Sequence, residues 1–287
     1  MASRIEVRKT YKLYIGGAFP RSESARSYEV TDTRGRFLAN AALASRKDAR
    51  DAVVAARTAQ PGWSGATAYN RAQVLYRVAE VMEGRRAQFV EEVSRAEGLT
   101  ARRAESVVET SIDRWVWYAG WADKLAQVLG GTNPVAGPYF NFSLPEPTGV
   151  VAVVAPQESS LLGLVSVLAP VVVSGNVAVV LASQTRPLGA ITLSEVLATS
   201  DVPGGVVNLL TGRVAEVAPW LAAHMDVNAI DLAGVDDADL RRELEVAAAD
   251  NVKRVRRLDT TDWTADPGLA RIRSFLETKT VWHPIGV

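Results

Sequence analysis

Five short runs dense in β-branched residues constrain the fold more than anything else in the chain. GVVAVVA, NVAVVL, GVVNLL, NAIDLA and VKRVRRL follow one another between Gly149 and Leu258. None alternates apolar with polar residues, the pattern of strands buried on both faces of a parallel sheet. Parallel neighbours need a crossover between them, usually a helix. Helical stretches near residues 161–174, 187–199, 213–223 and 236–248 supply the crossovers. The expected architecture is therefore α/β, a doubly wound parallel sheet, with any ligand at the carboxyl ends of its strands.

The region before the sheet has a different texture. YKLYIGGAF reads as a short β piece turned by Gly16 and Gly17. Ser45 and Asp48 have the spacing of a capping box ahead of Ala49, Ala52, Val53 and Ala56. Further helices are expected from about Arg71 and from about Ala101, the latter carrying Val108, Ile112, Trp115 and Ala119 on one stripe. Trp115, Trp117, Tyr118 and Trp121 lie at helical spacing and read as packing, not as a ligand face. The segment PYFNFSLPEP alternates Tyr139, Asn141 and Ser143 against Phe140, Phe142 and Leu144, giving one polar and one apolar face. After the sheet, a polar linker from Asp262 leads to ETKTVWHP, a strand that Pro284 should stop. The expected division is 1–138, 139–149, 150–260 and 261–287.

Composition then removes whole classes of chemistry. The 287 residues contain no cysteine and only two histidines, His224 and His283. That excludes a thiolate nucleophile, thiolate metal sites and disulfides, and speaks against a multi-histidine metal site, so no metal is expected. Lys plus Arg equals Asp plus Glu, 32 against 32, so charge offers no argument for nucleic acid or a membrane surface. The apolar stretch from Leu161 is interrupted by Ser166, Pro170, Ser174 and Gly175, short of the ~20 residues that cross a bilayer. MASRIEVRKT lacks the apolar run of a secretion signal, so a cytoplasmic location is expected.

Several segments, in order, resemble the aldehyde dehydrogenase superfamily. LYIGGAF, AARTAQPGW, RAQVLYRVAEVME and WYAGWADK resemble its N-terminal helical region. PTGVVAVVAP, SGNVAVVLAS, VPGGVVNLLTG and HMDVNAIDLAG follow its Rossmann-like nucleotide domain, and ETKTVW resembles its closing oligomerisation strand. The family oxidises aldehydes with NAD or NADP through a cysteine thiolate, a general base and an oxyanion-stabilising amide.

The resemblance implies losses at every one of those parts. Pro156-Gln157-Glu158 stands where the family has Pro-Trp-Asn, and Ala182-Ser183-Gln184 where it has Lys-Pro-Ser. Ala233-Gly234-Val235 replaces Thr-Gly-Ser, and Asp239 replaces a glycine near the phosphates. Asp259 falls near the place of the general base, but the two glycines after it are gone, and the segment that should carry the cysteine is absent. No catalytic residue is expected. Pro156, Ser183, Gly212 and Gly234 are vestiges of a cofactor site, with NAD or NADP bound weakly if at all.

Three functions remain open. The first is an inactive subunit that partners a full-length aldehyde dehydrogenase, or itself, by strand exchange. Its contacts would be Tyr139, Phe140, Phe142 and Leu144 with Leu276, Thr278, Thr280 and Trp282. The exchange would also bury apolar surface left bare by the absent domain. The second is a nucleotide sensor, with backbone amides at a helix start holding phosphate. The third is a residual oxidoreductase recruiting Glu158, Ser183 or Asp259. A Glu-Ser-Ser cap on the surface at a helix start is the plainer reading of Glu158, Ser159 and Ser160.

Overall fold

A computed structural model describes residues 9–257 and 262–286. The chain opens with a hairpin, β1 (Ser27–Thr31) and β2 (Phe37–Ala42), that the sequence reading did not foresee. YKLYIGGAF, expected as a strand, forms only isolated bridges, one of them Tyr14 to Leu209. Gly16 and Gly17, at φ of 61° and 85°, make its turn.

Four helices follow: α1 (Arg46–Gly65), α2 (Ala68–Gly84), α3 (Arg86–Glu97) and α4 (Ala101–Ala119). The capping box at α1 forms as expected, with Ser45 and Asp48 bonding each other's backbone. Thr67 and Thr100 cap α2 and α4 through their hydroxyls. The short helix α5 (Leu125–Leu129) leads into β3 (Gly131–Asn133) and β4 (Tyr139–Pro147).

The α/β part then runs β5 (Val150–Val154), α6 (Leu162–Val173), β6 (Val177–Leu181), α7 (Leu188–Ala198), β7 (Val207–Leu210), α8 (Val214–Ala223), β8 (Ala229–Asp231), α9 (Ala238–Ala249) and β9 (Arg254–Arg256). The five strands form one parallel sheet in the order β7-β6-β5-β8-β9. Every residue of β5, β6, β7 and β8 is buried, as their unbroken apolar runs require. α1 and α8 cover one face, and α6 and α7 cover the other with α2, α3 and α4 packed behind them. The chain winds outward from β5 in both directions, so the crevice between diverging crossovers opens at the carboxyl ends of β5 and its neighbours.

The last segment departs from expectation. Residues after Asp262 are no plain polar linker: they carry α10 (Ala270–Ser274) and bury Trp263, Ile272 and Phe275. Arg114 of α4 donates to the carbonyls of Trp263 at 2.6 Å and Ala265 at 3.1 Å, holding the segment on the helical layer. All twelve residues of α6 are buried, with α10 packed against that helix. Over α6, then, apolar surface is covered by this segment of the same chain.

β10 (Leu276–Pro284) is the final strand. It pairs antiparallel with β4 of the same chain over nine residues, from Leu276 opposite Pro147 to Pro284 opposite Tyr139. The expected exchange is therefore not how this strand pairs: its backbone groups on the β4 side are already bonded. The alternation of β4 also sorts differently from expectation. Asn141, on the polar face, is buried, whereas Phe140 and Leu144, on the apolar face, remain exposed. The amide of Asn133 and the neighbouring strands enclose Asn141, while Phe140 stays about half exposed.

Candidate functional site

The carboxyl ends of β5, β6, β7 and β8 are the place where a fold of this kind holds a ligand, so each loop there matters. After β5 comes Ala155-Pro156-Gln157-Glu158. The Gln157 side chain donates to the Ala155 carbonyl at 2.7 Å and accepts from the Gln184 backbone amide at 2.8 Å. Its own carbonyl accepts from the Ser183 hydroxyl at 2.8 Å. The Gln184 side chain in turn accepts, at 3.2 Å, from the backbone amide of Val214, the first residue of α8. Two glutamines thus link three strand ends and occupy the leading amide of a helix.

The start of α9 is closed in a similar way. Asp237 is its N-cap, and one carboxylate oxygen accepts from the amides of Asp239 at 2.9 Å and Leu240 at 3.1 Å. Arg241 reaches back to the carbonyls of Val235 at 2.7 Å and Asp236 at 3.2 Å. Asp239, expected to bring charge against phosphates, sits exposed in the first turn, and Asp237 is the carboxylate holding the amides.

The glycines serve close packing. Gly234 donates to the Val154 carbonyl at 2.9 Å, and a Cβ added there would lie 1.8 Å from the Ala155 oxygen. Gly212 lies against the backbone of Ala44, whose amide donates to Thr211 at 2.9 Å. Pro156 is buried with its ring against Gly163. Pro156, Ser183, Gly212 and Gly234 are therefore brought to one end of the sheet, each with a local structural task.

The Glu-Ser-Ser run meets the start of α6 with Glu158 on the surface and its two serines turned inward. Ser159 accepts from the Gly163 amide at 2.9 Å, and Ser160 donates through both amide and hydroxyl to Glu97. Both serines are buried. Glu158 accepts from the Trp263 indole at 2.9 Å, a contact with the terminal segment. Asp259, Thr260 and Thr261 lie outside the described residues. His224 caps a turn, its Nδ1 accepting from the Asp226 amide at 3.1 Å, and burial lowers its pKa.

Sequence reading missed the groups that knit the site together: Gln157, Gln184, Asp231 and Arg271. A glutamine at the end of each of two adjacent strands was the available signal. Asp231 was hidden inside an apolar run, where its burial shows only once Arg271 is seen beside it. Among the described residues no group of acidic and histidine side chains is placed to hold a metal.

The known proteins this chain is similar to agree with the architecture. Residues 19–257 match the pattern of the family described as "Aldehyde dehydrogenase family".

The chain belongs to the aldehyde dehydrogenase family.

It is 32% identical over 264 residues to the cytosolic 10-formyltetrahydrofolate dehydrogenase of Mus musculus, a match that covers 88% of this chain and 28% of that protein. It is 28% identical over 250 residues to the putative aldehyde dehydrogenase DhaS of Bacillus subtilis (strain 168), covering 86% of this chain and 50% of that one. HpcC from Thermus thermophilus superposes with a TM-score of 0.82 at 26% identity, over 87% of this chain and 48% of its own. PnpE, solved with nicotinamide adenine dinucleotide, superposes at 0.81 with 27% identity, over 86% and 50%. This aldehyde dehydrogenase family chain thus spans half the length or less of these relatives.

The family fold implies a dinucleotide at these strand ends, and the residues present do not fit one. A pyrophosphate is held by free backbone amides at a helix start and a glycine turn that lets it approach. Here Asp237 holds two amides of α9, Gln184 holds the first of α8, and Gly234 is pressed against Ala155.

Proposed function

We propose that this chain is a catalytically inactive member of the aldehyde dehydrogenase family. It acts in the cytoplasm as a structural or regulatory partner of an active NAD(P)-dependent aldehyde dehydrogenase. The absence of any cysteine carries the first half of the reading, because the family's covalent route needs a thiolate and the 287 residues hold none. The internally bonded strand ends support it.

The partner role rests on the small sheet β10-β4-β3. Both faces of this sheet expose apolar side chains, Tyr139 and Trp282 on one and Phe140 and Leu144 on the other, with Phe140 48% and Trp282 59% accessible. Tyr139 packs edge-on to Trp282 at 5.7 Å, and Phe140 lies 5.4 Å from Phe142. A projecting sheet with a pre-ordered aromatic pair on each face suits a protein interface. The occupant is a full-length aldehyde dehydrogenase subunit seated on these side chains, with the β10–β4 ladder kept intact. No helix among the described residues is long and apolar enough to cross a membrane.

Two measurements test this. The purified chain, given several aldehydes with NAD or NADP, should form no reduced cofactor. Co-expressed with a full-length aldehyde dehydrogenase of its source cell, it should elute at the mass of a mixed assembly. Reduced cofactor from the pure chain sinks the first half. A chain that elutes alone or only as its own dimer sinks the second.

A further inference from the structure

A cavity of about 210 Å³ lies behind the sheet, where α4 and α6 meet the terminal segment. Arg114, Tyr118, Ser166, Trp263, Ala270 and Arg271 line it. Tyr118 and Ser166 are buried, at 0% and 3% accessible, and neither hydroxyl has a hydrogen-bond partner. Buried hydroxyls are almost always bonded, so two orphans on one cavity wall demand an explanation.

The charges around the cavity sharpen the point. Arg271 is paired with Asp231 at 2.5 Å. Arg114, only 5% accessible, donates to two backbone carbonyls, and no carboxylate of the described residues pairs with it. The carboxylates of Asp262 and Asp266, on the cavity rim, act on Arg114 through space. Burial pushes the Tyr118 hydroxyl up to about 12, so it keeps its proton and can donate. The guanidinium charges of Arg114, Arg271 and Arg256 all bear on that hydroxyl.

We propose that this cavity binds a small organic carboxylate. Its oxygens accept from Tyr118 Oη and Ser166 Oγ beside the Arg114 guanidinium, and its short carbon tail lies against Trp263 and Ala270. Two neutral donors beside a buried guanidinium suit a monoanion. A phosphate dianion would bring a second charge towards Asp262 and Asp266, which share the cavity rim, and would leave the apolar wall uncovered. The terminal segment supplies that wall, so the site comes together only when residues 263–271 dock on α4 and α6. The inference does not depend on the partner role and survives its failure.

The full chain is titrated with butyrate by calorimetry and by thermal unfolding, with butyramide as the neutral control of similar shape and inorganic phosphate as the second anion. Butyrate should bind and raise the midpoint with concentration, at least tenfold more tightly than butyramide. Tyr118→Phe and Ser166→Ala break no bond within the protein and should fold as the parent does. Each should weaken butyrate tenfold or more, the usual effect of removing a donor to a charged group. The proposal is overturned if butyrate fails to bind, if butyramide binds equally, or if both variants that fold bind butyrate unchanged. Phosphate binding as tightly as butyrate marks an adventitious ion only and overturns it as well.

Discussion

Asp231 Oδ2 and Arg271 Nη1 stand 2.5 Å apart with both side chains shut away from water. The pair joins the last residue of β8 to α10, forty residues further along, and fixes the terminal segment over the helical layer. The other oxygen of Asp231 accepts from the Ala233 amide at 3.0 Å, so one carboxylate orders both the strand end and its cover. Trp263, 5.2 Å from the Arg271 guanidinium, and Glu158, bonded to the Trp263 indole, complete the link back to the loop after β5.

Breaking that pair from one side should be costly. Asp231→Asn or Arg271→Met each strands a buried charge, an effect of about 3–5 kcal/mol, read as a lowered urea midpoint. The double change Asp231→Leu with Arg271→Met should recover much of the loss. Simple additivity of the two single effects would show that the ion pair does not couple segment and sheet.

Gly234 tests what its position is for. Gly234→Ala places a methyl against the Ala155 carbonyl, and such overpacking costs roughly 1–3 kcal/mol or more. Gly62→Ala, inside α1 with open space around it, should instead stabilise by about 0.5–1 kcal/mol. Equal midpoints for the two variants would contradict the packing account of Gly234.

High pH should unfold the chain in a defined window. Burial pushes Tyr118 up to about 12, and burial with Glu92 nearby does the same to Tyr11. In the unfolded chain both ionise near 10, so the unfolded state loses these protons first. Stability contributed by the two groups is complete below pH 10 and disappears as pH rises towards 12. Absorbance of tyrosinate followed beside circular dichroism should show these two ionising only as the helices melt. Early, reversible titration of all seven tyrosines within the folded state would refute this.

Dinucleotide should bind poorly. A pyrophosphate must displace Asp237 from two amides of α9 and Gln184 from the first amide of α8. Each charge-assisted bond of Asp237 is worth about 1.5–3 kcal/mol and the neutral Gln184 bond about 0.5–1.5 kcal/mol. Calorimetry with NAD and with NADP should give dissociation constants in the millimolar range or weaker, and a micromolar value for either would restore the sensor reading.

Association should depend on side chains of the small sheet while β10 stays paired. Phe140→Ser with Trp282→Ser should abolish co-elution with a full-length aldehyde dehydrogenase, because buried aromatic anchors carry much of an interface's energy. Fold and midpoint should change little, since both residues are about half exposed or more. A mixed assembly that persists at full stoichiometry would move the interface elsewhere.

The sequence by itself determined the parallel sheet, its strand segments and the helices between them, because runs such as VVAVV and VAVVL can be satisfied only by burial on both faces. It likewise carried the α1 cap, since Ser45 and Asp48 act within one turn. It also carried the family resemblance and the absence of a cysteine. Tertiary structure alone decided what happens at the strand ends and at the terminus. Gln157 meets Gln184, Asp231 meets Arg271, and β10 meets β4 across separations of 27, 40 and up to 145 residues. No local period encodes those meetings. A polar residue's partner depends on which loops the folded sheet brings together, and a strand's partner on which edge is within reach, so both are settled only when the whole core has closed.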